Sequence, residues 1–208
     1  MDNTWATPLY FPPHERGVDI AIEAGTKYLG GHSDLLMGMV TANERCWKML
    51  RDTYDLMAIV PGPEDCFLAL RGLRTMKLRL DEAGRQGRAM ADWLAARPEV
   101  RTVLHPAMPH HPGHDIWKRD FKGASGLFSV LMKPGTAARI GPALDRLKVF
   151  AIGASWGGTR SLVAPMAVTG DRTAVPWTHE GALLRISIGL EDPEDLIADL
   201  SDGLAKLA

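Results

Sequence analysis

The stretch from Leu73 to about Arg97 constrains this chain most. Leu73, Met76, Leu80, Gly84, Gly87, Ala91 and Leu94 recur three and four residues apart and trace one face of a long helix. Two glycines on that face weaken the helix, so their presence points to a neighbour packed closely against its backbone. Pro98 stops the helix, and the rhythm of the sequence changes after it. The long helix therefore marks the organisational break, close to residue 75.

Ahead of the break, Val18–Glu23 alternates apolar and polar residues, a short strand signal. Leu35–Val40 is a continuous apolar run, expected to be a strand buried on both faces of a parallel sheet. Thr41 and Glu44 have the spacing of a capping box. Cys46, Trp47, Leu50, Tyr54 and Met57 then follow at helical spacing, and Cys46 on that stripe reads as core rather than nucleophile. Pro61-Gly62-Pro63 ends this helix and opens another near Glu64. Past Pro98, strands are expected at Val100–Leu104, Leu127–Met132, Val149–Ile152 and Leu183–Ile188, and helices at Ala137–Leu147 and Asp192–Leu207. Asp192-Pro193-Glu194-Asp195 combines an N-cap, a proline at the first helical position and acids against the dipole. The whole reads as α/β: the end of a sheet domain over residues 1–75, then a smaller α/β domain over 76–208.

Charge excludes some partners. Lys plus Arg number 24 and Asp plus Glu 25, a net charge of −1 that removes the electrostatic case for nucleic acid or an anionic membrane. No apolar run approaches the roughly 18 residues of a membrane helix, and the opening residues carry no secretory pattern. Cys46 and Cys66 form no Cys-x-x-Cys pair, which argues against a thiolate zinc site and suits a reducing cytoplasm. His105, His110, His111 and His114 crowd a proline-rich loop, yet no helical or strand spacing organises them, and no metal is expected there.

The chemistry concentrates around Ala24-Gly25-Thr26-Lys27-Tyr28-Leu29-Gly30-Gly31-His32-Ser33-Asp34. A lysine after a short strand, with a hydroxyl before it and a glycine turn behind it, suits a Schiff base with an aldehyde cofactor. A solvated lysine beside a turn is the plain alternative. Asp2 adds weight: it lies at a probable strand end one strand away from Lys27, where a carboxylate can hold the proton of a pyridine nitrogen. The alternative is that Asp2 merely solvates a terminus. Arg185 sits among Leu183, Leu184, Ile186 and Ile188, where a two-pronged grip on a carboxylate competes with a paired core arginine.

Five segments carry a family resemblance in order: Asp-Asn-Thr-Trp-Ala-Thr-Pro (2–8), Gly-Thr-Lys-Tyr-Leu-Gly-Gly-His-Ser-Asp (25–34), Leu-Arg-Gly-Leu-Arg-Thr (70–75), Ser-Trp-Gly-Gly (155–158) and Arg-Ile-Ser-Ile-Gly-Leu-Glu-Asp (185–192). Together they resemble the trans-sulfuration enzymes, which use pyridoxal phosphate. The resemblance implies a type I pyridoxal-phosphate transferase-like fold. It implies that Lys27 is the Schiff-base lysine, Asp2 the partner of the pyridine nitrogen and Thr26 a phosphate-binding hydroxyl. It makes Arg185 the grip on the substrate α-carboxylate, with Ser155 and Trp156 lining the substrate site. Trp156 after the serine, and Trp5, lean toward the branch that cleaves a thioether amino acid at Cβ. The family's chains are about twice this length and assemble as dimers of dimers. The other part would supply the phosphate loop, the stacking ring and residues lent across an interface. Whether this chain is a piece, one subunit of a split enzyme or a non-catalytic remnant stays open at this point.

Overall fold

The computed structural model describes residues 1–207. Two sheets organise it. The first is a ribbon of β1 (Ile20–Ala24) and β2 (Gly38–Ala42), antiparallel, with Ile22 opposite Val40. The chain enters beside β1 in extended form. Asn3 N–H donates to Ile22 O at 2.8 Å, Ile22 N–H donates to Met1 O at 2.9 Å, and Asp2 bridges Ile22 in parallel. Asp2 therefore lies in an isolated bridge beside the middle of β1, not at the end of a strand of its own. A single helical turn, α1 (Thr7–Tyr10), follows it.

The expected buried strand at Leu35–Val40 is corrected. The strand starts at Gly38, pairs antiparallel, and exposes residues 38–41. Leu35 is buried because it closes over Gly30, whereas Leu36 is 86% exposed. The expected capping box is corrected too. The N-cap of α2 (Glu44–Leu56) is Asn43, whose Oδ1 accepts from Cys46 N–H at 3.2 Å. Thr41 stays in β2, its hydroxyl 2.9 Å from His14 Nε2. Asn43 is held in place by its own amide, which donates to Asp19 at 2.8 Å. No residue of α2 is buried, so its apolar stripe, Cys46 included, is not core here. The proline–glycine punctuation does open α3 (Pro63–Leu73), but Leu73 closes α3 rather than starting the next helix.

The long helix is α4 (Met76–Ala95), and it buries Met76, Leu80, Gly87, Ala91 and Leu94. Its glycines are explained by close approach: a side chain at Gly84 would strike the Ala124 carbonyl, and one at Gly87 would lie 2.9 Å from Gly126 Cα. Beyond α4 the second sheet has the order β3-β4-β7-β6-β5. Its strands are β3 (Val100–Leu104), β4 (Leu127–Met132), β5 (Ala151–Ile152), β6 (Leu162–Met166) and β7 (Leu183–Ser187). All neighbours are antiparallel except β5 and β6. α5 (His114–Asp120) joins β3 to β4. α6 (Ile140–Leu144), shorter than the expected helix and led by a 3-10 turn at Ala137–Arg139, lies before β5. α7 (Pro193–Leu204) closes the chain, with Asp192 accepting from Glu194 N–H at 2.8 Å as its N-cap. Met90 and Leu94 of α4, Leu196 and Leu200 of α7 and Val130, Leu184 and Ile186 of the sheet form one core.

One contact joins the first part to the second, and another braces the second internally. Trp5 donates its indole N–H to Leu127 O at 2.9 Å, and its ring meets Phe121 edge-on at 5.9 Å. Asp199 on α7 accepts from three consecutive amides, Lys148 at 2.7 Å, Val149 at 3.0 Å and Phe150 at 2.9 Å, and so holds the approach to β5.

Candidate active site

Lys27 lies in a tight turn that follows β1. Lys27 N–H donates to Ala24 O at 2.9 Å, Gly30 N–H to Gly25 O at 2.8 Å and Gly31 N–H to Lys27 O at 2.7 Å. The turn closes through Gly31 at φ +71°, a conformation that suits glycine. The segment Ser155–Gly158 arrives from β5 and lies on this turn. A Cβ at Gly157 would come within 3.1 Å of Lys27 Cβ and of Tyr28 N, and its φ of +81° again suits glycine.

This approach brings four of the expected residues together. Lys27 Nζ donates to Ser155 Oγ at 2.9 Å and stands 5.4 Å from the centre of the Trp156 ring. Arg185 occupies the middle of β7, opposite Ser129 on one side and Ala164 on the other, and its guanidinium donates to Ala154 O. Burial first, and the Arg185 cation second, push the Lys27 ammonium below its ordinary pKa. A cavity of about 300 Å³ opens beside Ser155 and Trp156, lined also by Ser33 and Arg160 but not by Lys27 or Arg185.

Asp2 and Thr26 make their hydrogen bonds elsewhere. The Asp2 carboxylate accepts from Thr4 N–H at 2.8 Å, and hydrogen bonding from Thr4 holds it below the usual carboxylate range, so it is ionised. The Thr26 hydroxyl accepts from Met37 N–H at 3.0 Å and contacts Met37 O at 3.4 Å. Beside Asp2, burial and then the Asp2 charge raise Glu23 to about 7.

Sequence reasoning missed two contributors. Ser187, whose Oγ accepts from Gly157 N–H at 3.3 Å, shares a strand face with Arg185, and period-two alternation was the available signal. Arg79, buried beneath the lysine turn, gave no signal, being one of several arginines on a long helix. The loop histidines are occupied by backbone: His110 Nε2 contacts Val103 O at 3.1 Å, His111 Nδ1 accepts from Gly113 N–H at 3.0 Å and His114 Nδ1 contacts Pro106 O at 3.1 Å. His105 is fully buried, and its Nδ1 accepts from Ala107 N–H at 3.1 Å.

Comparison with known proteins gives this geometry its setting. The family of Cys/Met metabolism PLP-dependent enzymes matches residues 1–205. The chain is 44% identical over 211 residues to cystathionine beta-lyase of Salmonella typhimurium, covering 100% of this chain and 53% of that protein. It is also 44% identical over 208 residues to the L-alanine/L-glutamate racemase of Wolbachia pipientis, covering 99% and 52%. The crystal structure of cystathionine gamma synthase from Xanthomonas oryzae pv. oryzae, in complex with aminoacrylate and cysteine, superposes with a TM-score of 0.88 at 34% identity, covering 99% of this chain and 55% of that one. The chain thus spans about half the length of the curated relatives it matches. It has the fold of the corresponding part of these proteins, and it belongs to the pyridoxal-phosphate-dependent enzymes of cysteine and methionine metabolism.

Proposed function

We propose that this chain is the C-terminal half of a carbon–sulfur β-lyase that cleaves cystathionine and water to homocysteine, pyruvate and ammonia. Residues 1–75 are then the end of a cofactor-binding large domain and 76–208 the small domain. The observation that carries the reading is the 2.9 Å contact between Lys27 Nζ and Ser155 Oγ, with Arg185 next to it.

The residues present fit pyridoxal phosphate: a half-buried amine with lowered basicity, an ionised carboxylate on the segment bridged to β1 and a hydroxyl in the same turn as the lysine. Lys27 would hold the cofactor covalently, Asp2 would keep the proton on its ring nitrogen, and Thr26 would turn its hydroxyl from Met37 O to the phosphate. Bound there, the cofactor supplies a sink for negative charge at the substrate Cα. Arg185 binds the α-carboxylate with its planar fork, exchanging the Ala154 carbonyl for substrate. Ser155 and Trp156 wall the site and orient the Cα–H bond toward Lys27. Once the substrate's amine takes its place on the cofactor, Lys27 would be released as an amine of lowered pKa, free to take that proton. The thiolate then departs from Cβ.

The substrate is a thioether amino acid, the complete enzyme is a homo-oligomer, and the free thiols of Cys46 and Cys66 suit a cytoplasmic location. Among the described residues no helix is long and apolar enough to cross a membrane.

The relative named as a racemase, at the same 44% identity as the lyase, favours a second reading. Both reactions begin with loss of the Cα proton and diverge at whether a group leaves from Cβ. The test is a protein completed with the N-terminal half of the Salmonella relative, assayed for pyruvate from cystathionine and for D-alanine from L-alanine. Pyruvate release dominating supports the lyase, and D-alanine dominating overturns it. In the same protein Lys27→Ala should abolish the yellow, borohydride-reducible cofactor adduct. An adduct that persists unchanged overturns the role of Lys27.

A further inference from the structure

Beneath the lysine turn lies a guanidinium that is buried without any carboxylate. Arg79, in the first turns of α4, is 9% exposed and forms no ion pair among the described residues. Its donors go to main-chain carbonyls: Nη1 to Tyr28 O at 2.8 Å, Nη2 to Leu29 O at 3.3 Å and to Gly72 O at 2.7 Å. Nε donates to the Thr75 hydroxyl at 3.0 Å. Tyr28 and Leu29 are the two residues that follow Lys27.

A charge buried this way is expensive unless its donors are satisfied, and here carbonyl dipoles do the satisfying. The fit is close on every side. A side chain at Gly31 would overlap the guanidinium itself, and one at Gly72 would strike the Leu29 and Gly30 carbonyls. The same helix runs on to pack Gly87 against Gly126 and Met90 and Leu94 into the core beneath Arg185's sheet. One rigid element therefore touches both the lysine turn and the unit that carries Arg185.

We propose that Arg79 is the positioning residue for Lys27: by bridging the Tyr28, Leu29 and Gly72 carbonyls it pins the lysine turn to α4, and so sets where the amine stands relative to Ser155 and Arg185. The importance of that placement rests on the reading of Lys27 given above. The contact itself does not.

Arg79→Lys retains the charge and loses the planar fork, so one ammonium cannot span three carbonyls. The test uses the 208-residue chain, with two readouts. Amide hydrogen exchange is followed at Gly30 and Gly31, with Val130 and Ile186 as internal references in the second core. The titration of Lys27 is followed by NMR after reductive ¹³C-methylation, its signal identified by loss in Lys27→Arg. We expect Gly30 and Gly31 to exchange at least tenfold faster while Val130 and Ile186 hold their rates, and the Lys27 pKa to move up toward that of a free lysine. Unchanged turn exchange and unchanged Lys27 titration in a folded variant overturn the proposal. So does loss of protection spread equally over Val130 and Ile186, which marks a merely structural residue. If Arg79→Lys does not fold, Thr75→Val removes the hydroxyl that orients the guanidinium. The same two readouts should then shift in the same directions, and no shift in either overturns the proposal. Neither readout involves the cofactor, so failure here is distinct from failure of the lyase reading.

Discussion

The two parts of this molecule solve the burial problem differently. The second, from α4 onward, closes on itself: Leu80, Val130, Ile188 and Leu196 are all fully buried. The first is open. Trp47 is 55% exposed, Met57 64% and Phe67 67%, and α2 buries nothing. Apolar surface is worth roughly 25 cal/mol per Å² when removed from water, so the second part has the means to hold itself together and the first has little. Yet the first part carries Lys27, Thr26 and Asp2, and the second carries Ser155, Trp156 and Arg185. The more closed part contributes the groups proposed to face the substrate, and the more open part contributes the groups proposed for the cofactor.

The sharpest way to break this contrast is activity. The 208-residue chain alone, with added pyridoxal phosphate, should release pyruvate from cystathionine at least on the order of a thousandfold more slowly than the 1 per second of an ordinary enzyme. The open part leaves α2 without buried support around the proposed cofactor groups, and small misplacements cost large factors in rate. Turnover near 1 per second from a preparation free of any other lyase would show the first part to be competent as it stands. Stability comes next. Leu184→Ala, in the closed core at 2% exposure, should destabilise by about 2–5 kcal/mol in urea unfolding. Leu56→Ala, at 87% exposure on α2, should fall within about 0.5 kcal/mol of zero. Equal losses would erase the distinction.

Arg185 tests the join between the parts. In a completed enzyme, Arg185→Lys should lower kcat/KM by about 2–4 kcal/mol of transition-state stabilisation with cofactor absorbance unchanged. Normal kinetics would remove the arginine from the proposed site. The smallest effect is one of pH. Burial lowers His105, in the closed part, from 6.5 to about 4, so it folds neutral. Between those values the unfolded chain binds the extra proton, and stability falls as pH drops, by about 2 kcal/mol from pH 7 to 5. Glu23, in the open part, is raised from 4.5 to about 7, so there the folded form binds the extra proton and acid stabilises. Unit-resolved hydrogen exchange at pH 7 and pH 5 should show the second part loosening while the first tightens. Movement of both in one direction would contradict these assignments.

Local signals were the more legible ones in the sequence, though not all of them, since the Thr41–Glu44 spacing gives way to Asn43 as the cap. Val100–Leu104 and Leu127–Met132 match their strands, and the Asp192 cap forms, because alternation and capping depend only on near neighbours. β6 lies outside the expected strands, and it carries Pro165, a residue rare in strand interiors. The structure tolerates it because β5 pairs only with Leu162 and Val163, leaving that side of β6 free at Pro165. The run Leu35–Val40 departs from the expectation because apolar content signals a need for burial without supplying a partner, and here Leu36 and residues 38–41 stay exposed. The convergence of Lys27, Ser155, Trp156 and Arg185 was expected from ordered motifs, whereas Arg79 came into view only once the Tyr28 and Leu29 carbonyls had directions in space.

The clasp of Asp199 on the amides of residues 148–150 has a consequence for the gene. Those amides lead directly into β5 and the serine–tryptophan turn beside Lys27. A premature stop within the codons of α7 would spare every residue of the proposed site and still release three backbone donors upstream of it. Loss of α7 is therefore felt beside the lysine proposed to hold the cofactor, and this helix cannot be counted as a segment that natural variation is free to trim.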